Sequence, residues 1–154
     1  CPDALKWARE QETPEQAWRD CRRGDWMLWL LGGWCVTLSD RKLLVLAACA
    51  CARLALPHVL AGELRPLHAI ETAEHWARDE NGVTLEDVRK ARNAANATYD
   101  AAYAAAHAAH AYAADAHAAY AANAADAAAA RSKTLAQCAD IVRQYYPKPP
   151  EKVT

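Results

Sequence analysis

Hydrophobic residues in the first half of the chain form short runs, and each run lies between residues that typically begin or end an α-helix. The first helix is expected from Pro2 to Glu10. The second begins with Thr13 as its N-cap and Gln16 closing a capping box, and it is expected to end at Gly24. Only the stretch GGWCVTLSD has a strand-like character, and it is short enough to be a loop. The pattern therefore predicts a succession of helices.

Three further helices follow, and each has a recognisable start and stop. Their hydrophobic runs are WMLWLL, RKLLVLAACACARLAL and LHAIETAEHWARDE. Aspartate and serine are common N-caps, proline is common in the first helical turn, and glycine or asparagine is common just beyond the last turn. In chain order, the predicted boundaries are Asp25 to Gly32-Gly33, Ser39 or Asp40 to Pro57, and Pro66 to Asn81-Gly82.

Alanine dominates the second half of the chain. From Leu85 to Gln144 the sequence contains neither glycine nor proline, and a capping box of Thr84 and Asp87 precedes this stretch. Because alanine is the best helix former, we expect a single helix of about 90 Å. A helix of this length either projects from the domain, lies along a partner or is interrupted. At most one interruption is expected, near residues 123–132.

These elements predict an all-α protein, a helical bundle of five or more helices with one very long alanine-rich C-terminal helix. We expect one domain over residues 1–146, with tryptophan-rich helices in 1–82 and the alanine-rich helix in 84–146, followed by a proline-rich tail in 147–154. Five of the six tryptophans lie in the first 34 residues, so the main core is expected in the N-terminal half. A helix longer than one small core can cover also predicts a homo-oligomer.

The composition favours neither nucleic acid, membranes nor catalysis. The 154-residue chain has a formal charge of −1, so no strong field favours a polyanion or an anionic bilayer. No apolar run reaches the about 18 residues of a membrane span, and no signal peptide is visible. The six cysteines contain no C-x-x-C pair, which favours free thiols in a reducing cytoplasm. Phosphate loops, nucleophile elbows and H-E-x-x-H sequences do not occur, so we expect neither an enzyme nor a cofactor.

Polar aromatic residues interrupt the alanine tract, and a helical projection at about 100° per residue places most of them in one sector together with two arginines. This Tyr/His stripe extends for about 40 Å at the helical rise of 1.5 Å per residue. It is interpreted either as ordinary core or solvent face, or as a contact surface. Its members are Arg89, Arg92, Asn96, Tyr99, Tyr103, His107, His110 and His117.

The histidine spacing offers only incomplete metal sites. His107 and His110 lie one turn apart but lack a third ligand. His68 and His75 lie two turns apart on an earlier helix, so that with Glu71 they cannot close on one ion. A simple contact between Glu71 and His75 is expected there instead, and we expect no metal site.

The stretch AWRDCRRGDWMLWLLGGW concentrates tryptophan and charge at a corner between two predicted helices. The cluster places three tryptophans next to four charged residues: Trp18, Trp26 and Trp29 beside Asp20, Arg22, Arg23 and Asp25. The cluster is either a capped turn with local ion pairs or a hot spot for a partner, since Trp and Arg dominate such sites. We predict that the Tyr/His stripe lines a groove against these tryptophan-rich helices, and that a ligand or toxin is bound there.

Several stretches, taken in order, resemble a known family. They are AWRDCRRGDWMLWL, DRKLLVLAACACARLALPHV, ELRPLHAIETAEHWA, the Ala/Tyr/His tract and KTLAQCADIVR. Together they resemble the fifth numbered family of immunity proteins of bacterial polymorphic toxin systems, most specifically at GDWMLWL and LAACACARLAL. The resemblance implies an all-helical protein that neutralises a protein toxin domain by binding it.

Two functions remain open. The first is the protein-binding inhibitor that the resemblance implies. The second is a small-molecule binder, such as a phage-borne sponge that sequesters a nucleotide-like signal. In that case Arg89 and Arg92 hold phosphate while a tyrosine or histidine stacks on the base. A multidomain toxin encoded by the neighbouring gene would favour the first function.

Overall fold

The computed structural model describes residues 2–35, 37–97 and 117–150, and for residues 117–128 it describes the backbone alone. Every regular element in these ranges is helical, which confirms the all-α class. In chain order the elements are α1 (Pro2–Arg9), α2 (Pro14–Asp20), α3 (Gly24–Trp34), α4 (Leu38–Arg53), a 3₁₀ helix (Leu56–His58), α5 (Arg65–Ala77), α6 (residues 85–97 as described) and α7 (His117–Tyr145).

Two of the predicted capping residues begin helices as expected. Thr13 is the N-cap of α2, and its hydroxyl accepts a hydrogen bond from the backbone N–H of Gln16 at 3.0 Å. The Gln16 side chain accepts from Glu12 N–H at 3.2 Å, one residue before the position that a capping box requires. At α6 the box is complete, because Thr84 and Asp87 exchange hydrogen bonds from their backbone N–H groups at 2.9 and 3.3 Å.

The junction between α2 and α3 differs from the prediction. α2 ends at Asp20, because the backbone of Cys21 is extended (ψ 122°), and Gly24 begins α3 instead of ending α2. Asp25 does not cap α3, since its carboxylate accepts two hydrogen bonds from the Arg23 guanidinium instead. The two helices are therefore joined by a turn of only three residues.

The other predicted stops and starts in this region are also corrected. α3 continues through Gly32 and Gly33 to Trp34, because the helical hydrogen bonds continue past both glycines. α4 begins after Thr37, which forms a reciprocal capping box with Asp40 at 3.1 and 3.0 Å. The stop expected at Pro57 comes earlier, since α4 ends at Arg53 and Pro57 lies in the 3₁₀ helix.

The alanine-rich helix is described only towards its two ends. α6 covers residues 85–97 and α7 covers His117–Tyr145, while 98–116 lie outside the described part of the chain. α7 is continuous through residues 123–132, the place predicted for an interruption if the helix has one. It ends before Pro147 as expected. One continuous helix from Leu85 to Gln144 therefore stays a prediction.

Contacts divide the chain into two compact units. The first unit contains the residues up to Leu54 together with those from Ser132 onward, and the second extends from Ala55 to Arg131. The first unit thus combines α1 to α4 with the end of α7, and the second contains α5 and α6. The expectation of a single domain over 1–146 stays a prediction.

The core of the first unit lies where the tryptophan-rich helices meet the end of α7. Met27 and Val142 are fully buried there. Gly24 lies so close to α7 that a Cβ added to it would be 2.4 Å from the Cβ of Cys138. The buried members are Trp18, Cys21, Met27, Leu31, Cys51, Cys138, Ala139 and Val142. The N-terminal helices therefore supply most of this core, and α7 completes it.

Candidate functional site

An open groove of about 970 Å³ lies on the first unit, and tryptophan supplies much of its wall. α1, α2 and α3 form its sides, and the chain beyond α7 enters it at residues 148–150. We call it the aromatic groove. Its tryptophans are Trp7, Trp18, Trp26, Trp29 and Trp34.

Trp18 connects α2 to the end of α7. Its indole N–H donates a hydrogen bond to the carbonyl oxygen of Tyr146 at 2.9 Å, and its side chain is buried. The guanidinium of Arg143 in turn donates to the backbone carbonyl of Trp18 at 3.1 Å and to that of Cys21. These bonds satisfy carbonyls that the short turn after α2 leaves without helical partners, so this wall of the groove is rigid.

Trp26 contacts both a cation and a second tryptophan. The Cζ atom of Arg23 lies 4.3 Å from the centre of the Trp26 ring, and the ring of Trp7 lies 6.1 Å away at an interplanar angle of 53°. Arg23 is itself fixed by Asp25, whose carboxylate accepts at 2.8 and 2.6 Å. The hydrogen bond from Arg23 holds the pKa of Asp25 below its usual value, so the pair stays ionised at neutral pH.

Trp29 is the tryptophan of the groove that faces solvent. Its side chain is 61% exposed, and Leu5 on α1, which also lines the groove, is 53% exposed. Large exposed apolar side chains that share one concave surface are uncommon on monomeric proteins and mark sites of interaction. The groove therefore combines a rigid wall with apolar surface that a partner could bury.

The polar lining of the groove is charged. Glu12 and Glu15 lie on the side formed by the α1–α2 turn and the start of α2, and Lys148 lies on the side formed by the C-terminal segment. This lining carries more negative than positive charge. A partner segment with a basic residue suits it better than an acidic one.

The cysteine in the groove has no features of a nucleophile. Burial raises the pKa of the Cys21 thiol, and its sulfur contacts the carbonyl oxygen of Arg23 at 3.6 Å. A thiol with a raised pKa stays protonated at neutral pH, and the thiolate is the reactive form. Burial also raises the pKa of Cys51 to about 12, with Cys138 next to it adding to the shift. No disulfide joins any of the cysteines that the structure describes.

The predicted site residues fall in different parts of the molecule. Trp26 and Trp29 line the aromatic groove, and that a partner binds to them stays a prediction. Residues Arg89, Arg92 and Asn96 are exposed on α6 in the second unit, and the Arg92 guanidinium donates to the Asn93 side chain at 3.1 Å.

The rest of the Tyr/His stripe cannot be placed in the same way. His117 is the first residue of α7, described by its backbone alone. Tyr99, Tyr103, His107 and His110 lie outside the described residues. That the stripe and the tryptophans share one groove stays a prediction.

Sequence reasoning did not select two parts of the groove. Trp7 and Trp34 belong to its wall, and Pro149 and Pro150 also line it. The density of tryptophan in the first 34 residues was the available signal for the first set. The proline segment carries no local signal for where it packs, because the hydrogen bond that brings it there joins residues 128 positions apart.

His75 in the second unit contacts two residues that follow α5. His75 Nδ1 lies 2.7 Å from the Asn81 side-chain nitrogen and 3.5 Å from a carboxylate oxygen of Glu80. In the described ranges, no three His, Cys, Asp or Glu side chains are placed to hold a metal ion together. Over the same ranges, no helix has both the length and the apolar character that crossing a membrane requires.

Comparison with known proteins adds no relative to these observations. No protein-family model, no curated protein and no solved structure matches the chain.

Proposed function

We propose that this protein is a non-enzymatic inhibitor that neutralises a protein toxin domain by binding it through the aromatic groove. The observation that supports this most is the exposure of Trp29, at 61%, in a groove where Trp18 and Trp26 contact other parts of the same unit. Burying a tryptophan removes about 150–250 Å² of surface from water, and Trp is enriched among residues that dominate binding energies.

The rigidity of the groove favours a binding role. Trp18 and Trp26 are fixed by a hydrogen bond and by stacking before any partner arrives. A preorganised surface loses less conformational entropy on association than a mobile one. Binding of this kind blocks a toxin by covering its surface, and requires no chemistry from the inhibitor.

The resemblance to immunity proteins is most specific in a stretch that contributes to the aromatic groove. Its specific stretch GDWMLWL forms the beginning of α3 and includes Gly24, Trp26 and Trp29. Gly24 allows α3 to approach α7 closely, and the two tryptophans line the groove. The resembling residues therefore support both the helix packing and the proposed contact surface. As part of this proposal, the protein acts in the cytoplasm as a homo-oligomer.

Co-expression tests the inhibitor function. The toxin used is the C-terminal domain encoded by the gene next to the one for this chain, expressed in a bacterial host with and without the inhibitor. The wild-type chain should restore growth, and Trp29→Ala should lose that protection while Trp76→Phe in the second unit keeps it. A neighbouring product without toxicity, or one that the wild-type chain does not neutralise, contradicts the proposal.

The small-molecule alternative has a separate test. Arg89 and Arg92 are exposed on α6, where a phosphate could reach them. Native mass spectrometry of the purified protein should show the mass of the polypeptide assembly alone. An additional mass that corresponds to a nucleotide-like compound, lost in an Arg89→Ala/Arg92→Ala variant, would favour the sponge over the inhibitor.

A further inference from the structure

The chain's own prolines form part of the wall of the aromatic groove. After α7 ends at Tyr145, the chain bends at residues 147–148, and Pro149 and Pro150 are half-buried in the lining of the groove. We call residues 147–150 the proline segment. Its position shows what kind of chain the groove accommodates.

Three prolines limit the backbone conformations of the proline segment. The rings of Pro147, Pro149 and Pro150 fix φ near −65°, and a residue that precedes proline is shifted away from the helical region. Such a sequence favours the polyproline II helix, which has no internal hydrogen bonds and leaves its carbonyl groups free to accept. Aromatic grooves bind this conformation because it is already ordered before binding.

A hydrogen bond joins the wall of the groove to the residue just before the proline segment. The Trp18 indole N–H donates to the carbonyl of Tyr146, immediately before Pro147. Tyr146 is held on the other side, because its hydroxyl donates to the Asp40 carbonyl at 3.2 Å. Burial raises the pKa of Tyr146 to about 12, so this hydroxyl remains a donor at neutral pH.

The charged residues of the groove also suit an extended, proline-rich segment. Lys148 precedes the two half-buried prolines, and the lining of the groove also includes Glu12 and Glu15. The proline segment supplies only part of the lining of the groove, while Leu5 and Trp29, which also line it, stay exposed. The uncovered part can take a longer chain of the same chemistry.

We propose that the aromatic groove binds an extended, proline-rich segment of a partner protein that carries basic residues, and that the chain's own proline segment competes for one end of it. This deepens the proposed function and rests on it, because it names the part of the toxin that the groove binds. The proline segment then lowers the apparent affinity for the partner by the fraction of time for which it occupies the groove.

Peptide binding tests the proposal on the full chain. The probe is a fluorescent nine-residue peptide of three Lys-Pro-Pro repeats, measured by fluorescence anisotropy, with three Lys-Ala-Ala repeats as the control peptide. The proline peptide should bind and the alanine peptide should not. Pro149→Ala/Pro150→Ala should bind about 3- to 10-fold more tightly than wild type, which corresponds to a groove that is open for about a third to a tenth of the time.

Two further variants locate the binding. Trp29→Ala should weaken peptide binding by about tenfold or more, since it removes an aromatic wall of the groove. Trp76→Phe in the second unit should bind as the wild type does. Equal binding by Trp29→Ala, or weaker binding by the double proline variant, would overturn the proposal.

The result of the peptide-binding assay can be distinguished from the result of the co-expression assay. If no variant binds the proline peptide while co-expression still neutralises the toxin, the ligand class is wrong and the inhibitor function holds. If the peptide binds as described and no toxin is neutralised, the groove chemistry holds and the inhibitor function is wrong.

Discussion

Replacing Gly24 by alanine should destabilise the first unit, although alanine is the better helix former. A Cβ added at Gly24 would lie 2.4 Å from the Cβ of Cys138, 2.7 Å from its carbonyl carbon and 2.7 Å from the backbone nitrogen of Ala139. Two of these three atoms belong to the backbone of α7, so no side-chain rotation relieves the clash. α3 must therefore move away from α7.

The magnitude follows from two opposing effects. Overpacking of a close contact costs about 1–3 kcal/mol, and separating the helices also uncovers Ala139 and Val142, which are both fully buried. The gain in helix propensity from glycine to alanine is at most about 1 kcal/mol, and it is smaller at the first residue of a helix. We expect the free energy of unfolding to fall by about 2 kcal/mol.

Gly33→Ala is the matched control. Gly33 lies in the same helix, and a Cβ added there would have no neighbour within 4 Å. The free energy of unfolding should rise by about 0.5–1 kcal/mol, because only helix propensity changes.

Urea unfolding followed by tryptophan fluorescence measures both effects. Five of the six tryptophans lie in the first unit, so the signal reports mainly on it. A Gly24→Ala variant as stable as the wild type, or a Gly33→Ala variant destabilised to the same extent, would refute the close packing of α3 on α7.

Three other predictions concern the same molecule. Trp29→Ala should change the free energy of unfolding by no more than about 0.5 kcal/mol in the urea assay, because the side chain is exposed; a loss above about 2 kcal/mol would place it in the core. The urea midpoint should fall as the pH rises from 9 towards 12. Folding raises the pKa of Cys51 from 9.0 to about 12 and that of Tyr146 from 10.0 to about 12, so the folded state holds protons that the unfolded chain has released. A midpoint independent of pH would contradict both shifts. Light scattering at micromolar concentration should give a mass that is a multiple of 16.8 kDa, and a monomer would contradict the homo-oligomer.

The helical class could be predicted from the sequence because its strongest signals are local. Thr13 and Thr84 begin helices where predicted, since a cap needs only a hydroxyl and an N–H three residues later. Gly24 and Gly33 were misread as helix ends. Glycine also serves where two helices touch, as Gly24 does, and that role depends on a distant residue such as Cys138.

The site could be predicted only in part for a related reason. Trp26 and Trp29 were identified from tryptophan density beside arginine, and both line the groove. The contribution of Pro149 and Pro150 depends on the bond between Trp18 and Tyr146, which no local pattern indicates. Long-range hydrogen bonds of this kind set the shape of the groove.

Indole N–H signals test the groove as a binding surface most directly. The ¹⁵N-labelled full chain gives one such signal for each of its six tryptophans, and single Trp→Phe variants assign them. On titration with the toxin domain proposed as the partner, the signals of Trp26 and Trp29 should shift or broaden while that of Trp76 stays unchanged. A saturating titration that moves only the Trp76 signal, or leaves the groove signals in place, would contradict binding at the aromatic groove.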